Sequence, residues 1–540
     1  MNFDMLIAGA LVVDGTGALG RVADVGIRAG RIEAVTEPGR LAAVAAAGTI
    51  DGSGLVLAPG FIDIHTHSDL TLLDDPGAES KVHQGVTTEV TGNCGYSPFP
   101  IGPGGPAPMR ALFSGSGLDV SADWTWTDLD GWARRHESNG ISLNLAPLVG
   151  HSAVRLAADL GGDRRPTPDE LALMARLVAG SIEQGAFGLS TGLTLAPSSF
   201  GATDEIVALA GAMRPYPGAF YATHARVWAG RHVLAVEEAS EIGRRAGVPV
   251  EFSHIAIIDP RVQGHAADLI GVIEQARAGG QDMTADVYPY TAAGSGLMQS
   301  LPEWVQDGGV EQMLARLRDP AIRARVRADA SLGWFKGLPW DWDSLVISDI
   351  ATQANRGLVG GSIAAAAVLR GEESIDTFLN LIDEEDNRIA VVAHNRIESD
   401  VREFLRHPAI MVGSDGTAIS PTGHHGRPQR PHPRYYGTYP RILGRYVRDE
   451  PVLGLAEAIH KMTGQPAARL GLRDRGRIAE GLAADLVLFD PVTVLDQATF
   501  EDPHQFPLGI RRVMVNGVVV VADGEHTGAR PGRVLRRNAN

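Results

Sequence analysis

The sequence predicts an α/β fold: a (β/α)8 TIM-like barrel with a small β domain built from both termini and an insertion over the barrel mouth. Three observations predict it. Short apolar runs alternate through the middle of the chain with Ala-, Leu- and Arg-rich helical stretches, the pattern of a parallel βα array. Eight such runs qualify as barrel strands, at 61–67, 86–93, 142–149, 186–193, 219–224, 249–255, 283–288 and 409–415. Both ends instead read as β structure bounded by glycine and aspartate, in "DMLIAGALVVDG" and "DVGIRAGRIEAV" near the start and "ADLVLFDP" and "RRVMVNGVVVVADG" near the finish.

Neither end has strands enough to close a core alone, so the two are expected to pair, giving a division into 1–58, 59–470 and 471–540. The gap before the last barrel strand is long. Within it about 291–362 reads as helices followed by a Trp/Gly/Pro loop, and long excursions in compact domains are usually lids or binding elements. One further apolar run, "IAVVAH", leaves the count of eight open.

At 540 residues the chain exceeds one ordinary core, and 44% hydrophobic with 21% charged residues is an ordinary globular composition. The formal charge of -16 argues against nucleic acid or an anionic membrane as partner, because both demand a positive field; a small-molecule substrate is expected. "MNFDMLIAGALVVDGTG" has acidic flanks and no basic region, and no run is long and apolar enough to span a bilayer, so a cytoplasmic enzyme is expected. The single cysteine, Cys94, excludes an internal disulfide.

"GFIDIHTHSD" places His65 and His67 one residue apart at a strand end, where i and i+2 share a face. Alone, such a pair is a weak metal signal. Three other predicted strands end on the same chemistry: "FYATHAR" on His224, "VEFSHIA" on His254 and "IMVGSDG" on Asp415. Catalytic groups of a (β/α)8 barrel sit where strands end, so these side chains are expected to converge. Cys94 ends the second strand, in "VTTEVTGNCGYSPFP". A lone cysteine is more often a small buried hydrophobe, but at this rim a thiolate could ligate or bridge zinc. His151, in "PLVGHSAVR", reads as a structural histidine.

These residues resemble the N-acyl-D-amino-acid deacylases (D-aminoacylases) of the metal-dependent amidohydrolase superfamily. The resemblance covers almost the whole chain, through "LAPGFIDIHTHSD", "GVTTEVTGNCGYSPFP", "GAFGLSTGLTLAPSSFGATDE", "YATHAR", "EFSHIA", "DVYPYTA", "GSDG", "RPHPRYYGTYPRILG" and "GRIAEGLAADLVLFDP". It implies a distorted TIM barrel with a β-sandwich from both termini. It implies a tightly held zinc on Cys94, His224 and His254, and a second, weaker metal position formed by His65, His67 and Asp415, with the Cys94 thiolate between the two. The expected reaction is amide hydrolysis by a metal-activated water, with Asp415 as general base and then general acid. Arg434 of "RPHPRYYG" matches the family's carboxylate-binding arginine, Tyr288 of "DVYPY" matches a second contact, and Arg430 is a weaker arginine candidate.

Two positions depart from the family. Relatives carry a lysine two residues after the second ligand histidine, where this chain has Ala256, and many carry a tyrosine after "TGLT", where it has Leu195. The additional stretch "TAISPTGHHGRPQ" offers His424, His425 or Arg427 as replacements for the lysine. Ala256 also keeps a second reading open, a cyclic-amide (hydantoin-type) hydrolase with the same metal centre, because a ring amide has no free carboxylate. A non-catalytic relative of the fold would show eroded ligand positions, and all six are intact.

Overall fold

The computed structural model describes residues 2–115, 122–335, 337–423, 426 and 429–537. Every one of the eight expected runs contains a barrel strand: Phe61–Asp63, Val86–Thr91, Asn144–Pro147, Gly188–Gly192, Phe220–His224, Val250–Phe252, Met283–Val287 and Ile410–Val412. Their residues are almost uniformly buried, as in parallel strands covered on both faces. Pairing is parallel throughout, for example Gly188 opposite Phe220 through Gly192 opposite His224.

The ring is built as two sheets. The first three strands form one, and the other five join the two-residue strand Val149–Gly150 in a six-stranded second. The third run therefore serves both: Asn144–Pro147 pairs with the second strand, and Val149–Gly150 pairs with the fourth. Beside the break the C-terminal tail fills in, with Leu535 N donating to Leu145 O at 2.7 Å. The seam between the last and first strands is closed by the segments that carry the expected ligands. Asp415 N donates to His65 O at 2.8 Å, and His67 N donates to Gly416 O at 2.9 Å.

The outer helices carry clear end signals. Pro168–Glu183 begins with a capping box between Thr167 and Glu170, and Val233–Ala246 stops at Gly247, in the left-handed region at φ 70°. Among the described residues no helix is long and apolar enough to cross a membrane.

Strands from both termini join in one nine-stranded sheet in which Val56–Pro59 of the N-terminal part pairs with Leu486–Phe489 of the C-terminal part. The sheet curls until Ile32 N donates to Leu482 O at 2.8 Å, enclosing Val25, Ile27, Leu57, Leu486 and Leu488. The sandwich layers are thus parts of one hydrogen-bonded sheet.

The excursion after the seventh strand continues beyond the expected 362. It contains a three-stranded antiparallel sheet whose central strand is Ile389–Ala393, flanked by Ala293–Gly296 and Leu345–Ile350. It packs its own core around Leu297, Phe378, Ile347 and Val391. The "IAVVAH" run is therefore that central strand and not a ninth barrel strand.

Candidate active site

The strands end sooner than the sequence suggests, and this sets the geometry. Only His224 lies inside its strand; His65 and His67 follow Asp63, Cys94 follows Thr91, His254 follows Phe252 and Asp415 follows Val412. Cys94, His254 and Asp415 have φ of 52°, 37° and 49°. Side chains are uncommon in that region, and such backbone persists where surrounding structure fixes it. Each turns the chain so that its side chain points across the mouth. His65 and His67 reach the same side because Thr66 between them is pinned to strand two, its N and Oγ1 both donating to Val90 O.

All six expected ligands come together. Cys94 Sγ lies 3.3 Å from His65 Nε2, 3.8 Å from His224 Nδ1 and 3.4 Å from His254 Nε2. His224 Nδ1 and His254 Nε2 face one another at 3.0 Å. Asp415 Oδ1 is 3.1 Å from His67 Nε2 and 3.6 Å from His65 Nε2. Two donor sets result, His65–His67–Cys94–Asp415 and Cys94–His224–His254, each with its ligand atoms within 4.8 Å of one another and the thiol common to both.

Burial pushes His65 down to about 3 and holds His224 and His254 well below the usual imidazole range. The rings are therefore neutral, as metal ligands must be. Burial, with the Asp415 and Asp286 carboxylates, pushes the Cys94 thiol well up, so the protein alone leaves it protonated; a bound cation reverses that preference. Burial would also raise Asp415, but the Arg434 guanidinium and the neighbouring histidines outweigh it and hold the carboxyl well below its usual range. Facing nitrogens and a shared sulfur, held unprotonated or poised to lose a proton, fit a soft divalent metal such as zinc.

Groups that sequence reasoning missed orient these ligands. Asp286, on the seventh strand, accepts from His65 Nδ1 at 3.3 Å and from the backbone N–H of His254 at 3.0 Å. Thr194 Oγ1 lies 2.6 Å from His224 Nε2. The contacts to the His65 and His224 rings occupy the outer nitrogen and leave the inner one for the centre, while the contact to His254 fixes its backbone. Lys81, fully buried, joins Asp63 at 2.9 Å to Ser414 Oγ at 2.6 Å, and Ser414 N donates to Asp63 at 2.8 Å, bracing the residue before Asp415. An aspartate in the otherwise apolar "MTADV" was the available signal for Asp286; Lys81 sits in a helix preceding the second strand and gave none.

Arg434 and Tyr288 both line the cavity above the cluster. Arg434 Nη1 forms a 2.9 Å ion pair with Asp415 Oδ2. Arg430 instead lies exposed against Gly360. Leu195 lines the cavity, while Ala256 is half-buried on the segment beyond His254. His424, His425 and Arg427 lie outside the described residues. His151 is wholly buried between Ser198 Oγ at 2.8 Å and Glu205 at 2.9 Å, and Glu205 also receives Arg155. The insertion covers one side of the mouth with Trp334, Phe335, Ser348 and, unanticipated, Arg396.

Residues 48–521 match the family model described as amidohydrolase family. The chain is 38% identical over 534 residues to N-acyl-D-aspartate deacylase of Alcaligenes xylosoxydans xylosoxydans, covering 98% of this chain and 95% of the relative. It is 35% identical over 538 residues to D-aminoacylase of the same organism, covering 99% and 98%. The solved structure of N-acyl-D-glutamate deacylase from Bordetella bronchiseptica, complexed with zinc and a phosphonate inhibitor that mimics the tetrahedral intermediate, is similar at a TM-score of 0.82 and 32% identity. That match covers 99% of this chain and 100% of the other.

Proposed function

The chain belongs to the amidohydrolase family, and on that footing we propose that it is a zinc-dependent hydrolase cleaving the amide bond of N-acyl-D-amino acids to a carboxylate and the free D-amino acid. The observation that carries this reading is the pair of donor sets sharing Cys94 at the barrel mouth, in a chain similar over its whole length to deacylases of this kind.

In this reading Cys94, His224 and His254 hold one zinc tightly, and His65, His67 and Asp415 with the shared thiol form a weaker second position. Zinc at such a centre polarises the scissile carbonyl and lowers the pKa of water toward neutrality. Asp415 is the proton carrier: its carboxylate accepts a proton from water as that oxygen attacks, and returns it to the amide nitrogen as the C–N bond breaks. Its low pKa keeps it in the accepting form over the whole neutral range. Arg434 restrains the carboxylate through Oδ2 and leaves Oδ1 toward the histidines. The remaining guanidinium donors of Arg434 and the Tyr288 hydroxyl bind the substrate carboxylate.

The cavity also favours a free acid over a ring amide, because two guanidinium groups, Arg396 and Arg434, line it. Acetate release from N-acetyl-D-leucine by zinc-loaded protein, and its loss in chelated protein, tests the proposal. Equal rates in both preparations contradict it.

A further inference from the structure

Arg396 was invisible to sequence reasoning. It follows the central strand of the insertion sheet and is returned to the cavity by its backbone N–H, which donates to Thr291 O at 3.1 Å. Its guanidinium carbon lies over the Tyr288 ring at 4.3 Å from the centroid, and that of Arg434 lies over the same ring at 4.7 Å. Two like charges share one aromatic platform.

Their partners differ. Arg434 has the Asp415 carboxylate at 2.9 Å. Arg396 has no carboxylate within ion-pair distance among the described residues, and its Nε is buried with no hydrogen-bond partner. The other carboxylate in the lining, Asp349, is already engaged. Arg396 is half-buried, and a guanidinium partly withdrawn from water without a counter-ion carries a cost that a ligand supplying an anion removes. His432, also in the lining, gives one ring nitrogen to Ala292 O and the other to the Arg434 N–H, so it adds no further anion site. One unpaired guanidinium calls for one carboxylate. Among the described residues the rest of the cavity wall, which includes Leu195, Val227, Ile258, Trp334 and Phe335, offers no cation to a second.

We propose that Arg396 completes the carboxylate clamp with Arg434, supplying the cation that Ala256 does not. The substrates it selects are N-acyl-D-amino acids with uncharged, apolar side chains in preference to those of D-aspartate or D-glutamate. This rests on the deacylase reading above.

The test uses zinc-loaded full-length protein, with Arg396→Met and Arg396→Lys beside wild type, assayed by acetate release. The substrates are N-acetyl-D-leucine, its carboxamide N-acetyl-D-leucinamide, and N-acetyl-D-glutamate. Arg396→Met is expected to raise KM for N-acetyl-D-leucine about 10- to 150-fold, the scale of one charge-assisted hydrogen bond. KM for the carboxamide changes less than about twofold, because that ligand has no charge to lose. Arg396→Lys recovers part of the loss, and wild type prefers N-acetyl-D-leucine to N-acetyl-D-glutamate. An unchanged KM in Arg396→Met, an equal loss on acid and carboxamide, no recovery with lysine, or a wild-type preference for N-acetyl-D-glutamate overturns the proposal. Wild type that hydrolyses none of the N-acyl-D-amino acids overturns the deacylase reading and this proposal with it. Hydrolysis by wild type with Arg396→Met unaffected overturns this proposal alone.

Discussion

Asp286→Asn removes one carboxylate oxygen from beneath the metal centre without changing side-chain volume. In the native protein the two oxygens serve two donors, the His65 ring at 3.3 Å and the His254 backbone N–H at 3.0 Å. An amide has one acceptor, so one of these donors must lose its partner. His65 and Asp286 are both wholly buried, and no water can take the vacated place without rearrangement. Leaving a buried donor unmade costs about 1–3 kcal/mol. If that cost falls on the metal-bound state, zinc Kd rises roughly 5- to 150-fold, overlapping the range typical for partners of ligand histidines. Competition with a chelator of known affinity measures it, with circular dichroism as a fold control. Zinc affinity and kcat both within twofold of wild type would refute the role assigned to Asp286.

Three further perturbations follow from the same geometry. Glu205→Ala leaves the Arg155 guanidinium, which is fully buried and donates to the two Glu205 oxygens at 2.7 and 2.9 Å, without its counter-ion; denaturant unfolding is expected to show a loss of about 3–5 kcal/mol, and a loss below 1 kcal/mol contradicts the reading of His151, Glu205 and Arg155 as a stabilising network. Arg434→Met removes the foremost group that holds the Asp415 carboxyl low, so its pKa rises and the acid limb of kcat/KM moves to higher pH; a limb that stays in place or moves down contradicts the assignment of Asp415 as the base. His65→Ala removes one donor from the weaker set and leaves Cys94, His224 and His254 intact; kcat/KM is expected to fall roughly tenfold or more while about one zinc per chain remains, and complete loss of zinc contradicts the division between the two sets.

The sequence exposed the ligands because their chemistry is unusual for strand ends, not because the strand boundaries could be read. His65, Cys94, His254 and Asp415 all lie past the hydrogen-bonded strands, and three of the four need a left-handed backbone. A hint was present in the glycine that follows Cys94, Gly95, which continues the left-handed turn at φ 78°. Periodicity found the eight strands but could not assign "IAVVAH", because an apolar run reads the same in a barrel and in an insertion sheet. That ambiguity also hid Arg396, whose place at the cavity depends on the pairing of Ile389–Ala393 between two other insertion strands. Asp286 and Thr194 act through the outer nitrogens of histidines distant in sequence, a relation that no local pattern encodes.

The central claim is that one zinc centre built on Cys94 hydrolyses open-chain N-acyl-D-amino acids. It is tested most directly by assaying metal-analysed protein, before and after chelation, on N-acetyl-D-leucine, N-acetyl-D-glutamate, their L-enantiomers and a hydantoin. The account predicts chelator-sensitive hydrolysis confined to the D-enantiomers, lost in Cys94→Ala together with the zinc. Turnover of the hydantoin with none of the D-amino acid derivatives, or D-specific turnover that survives removal of the metal, contradicts it.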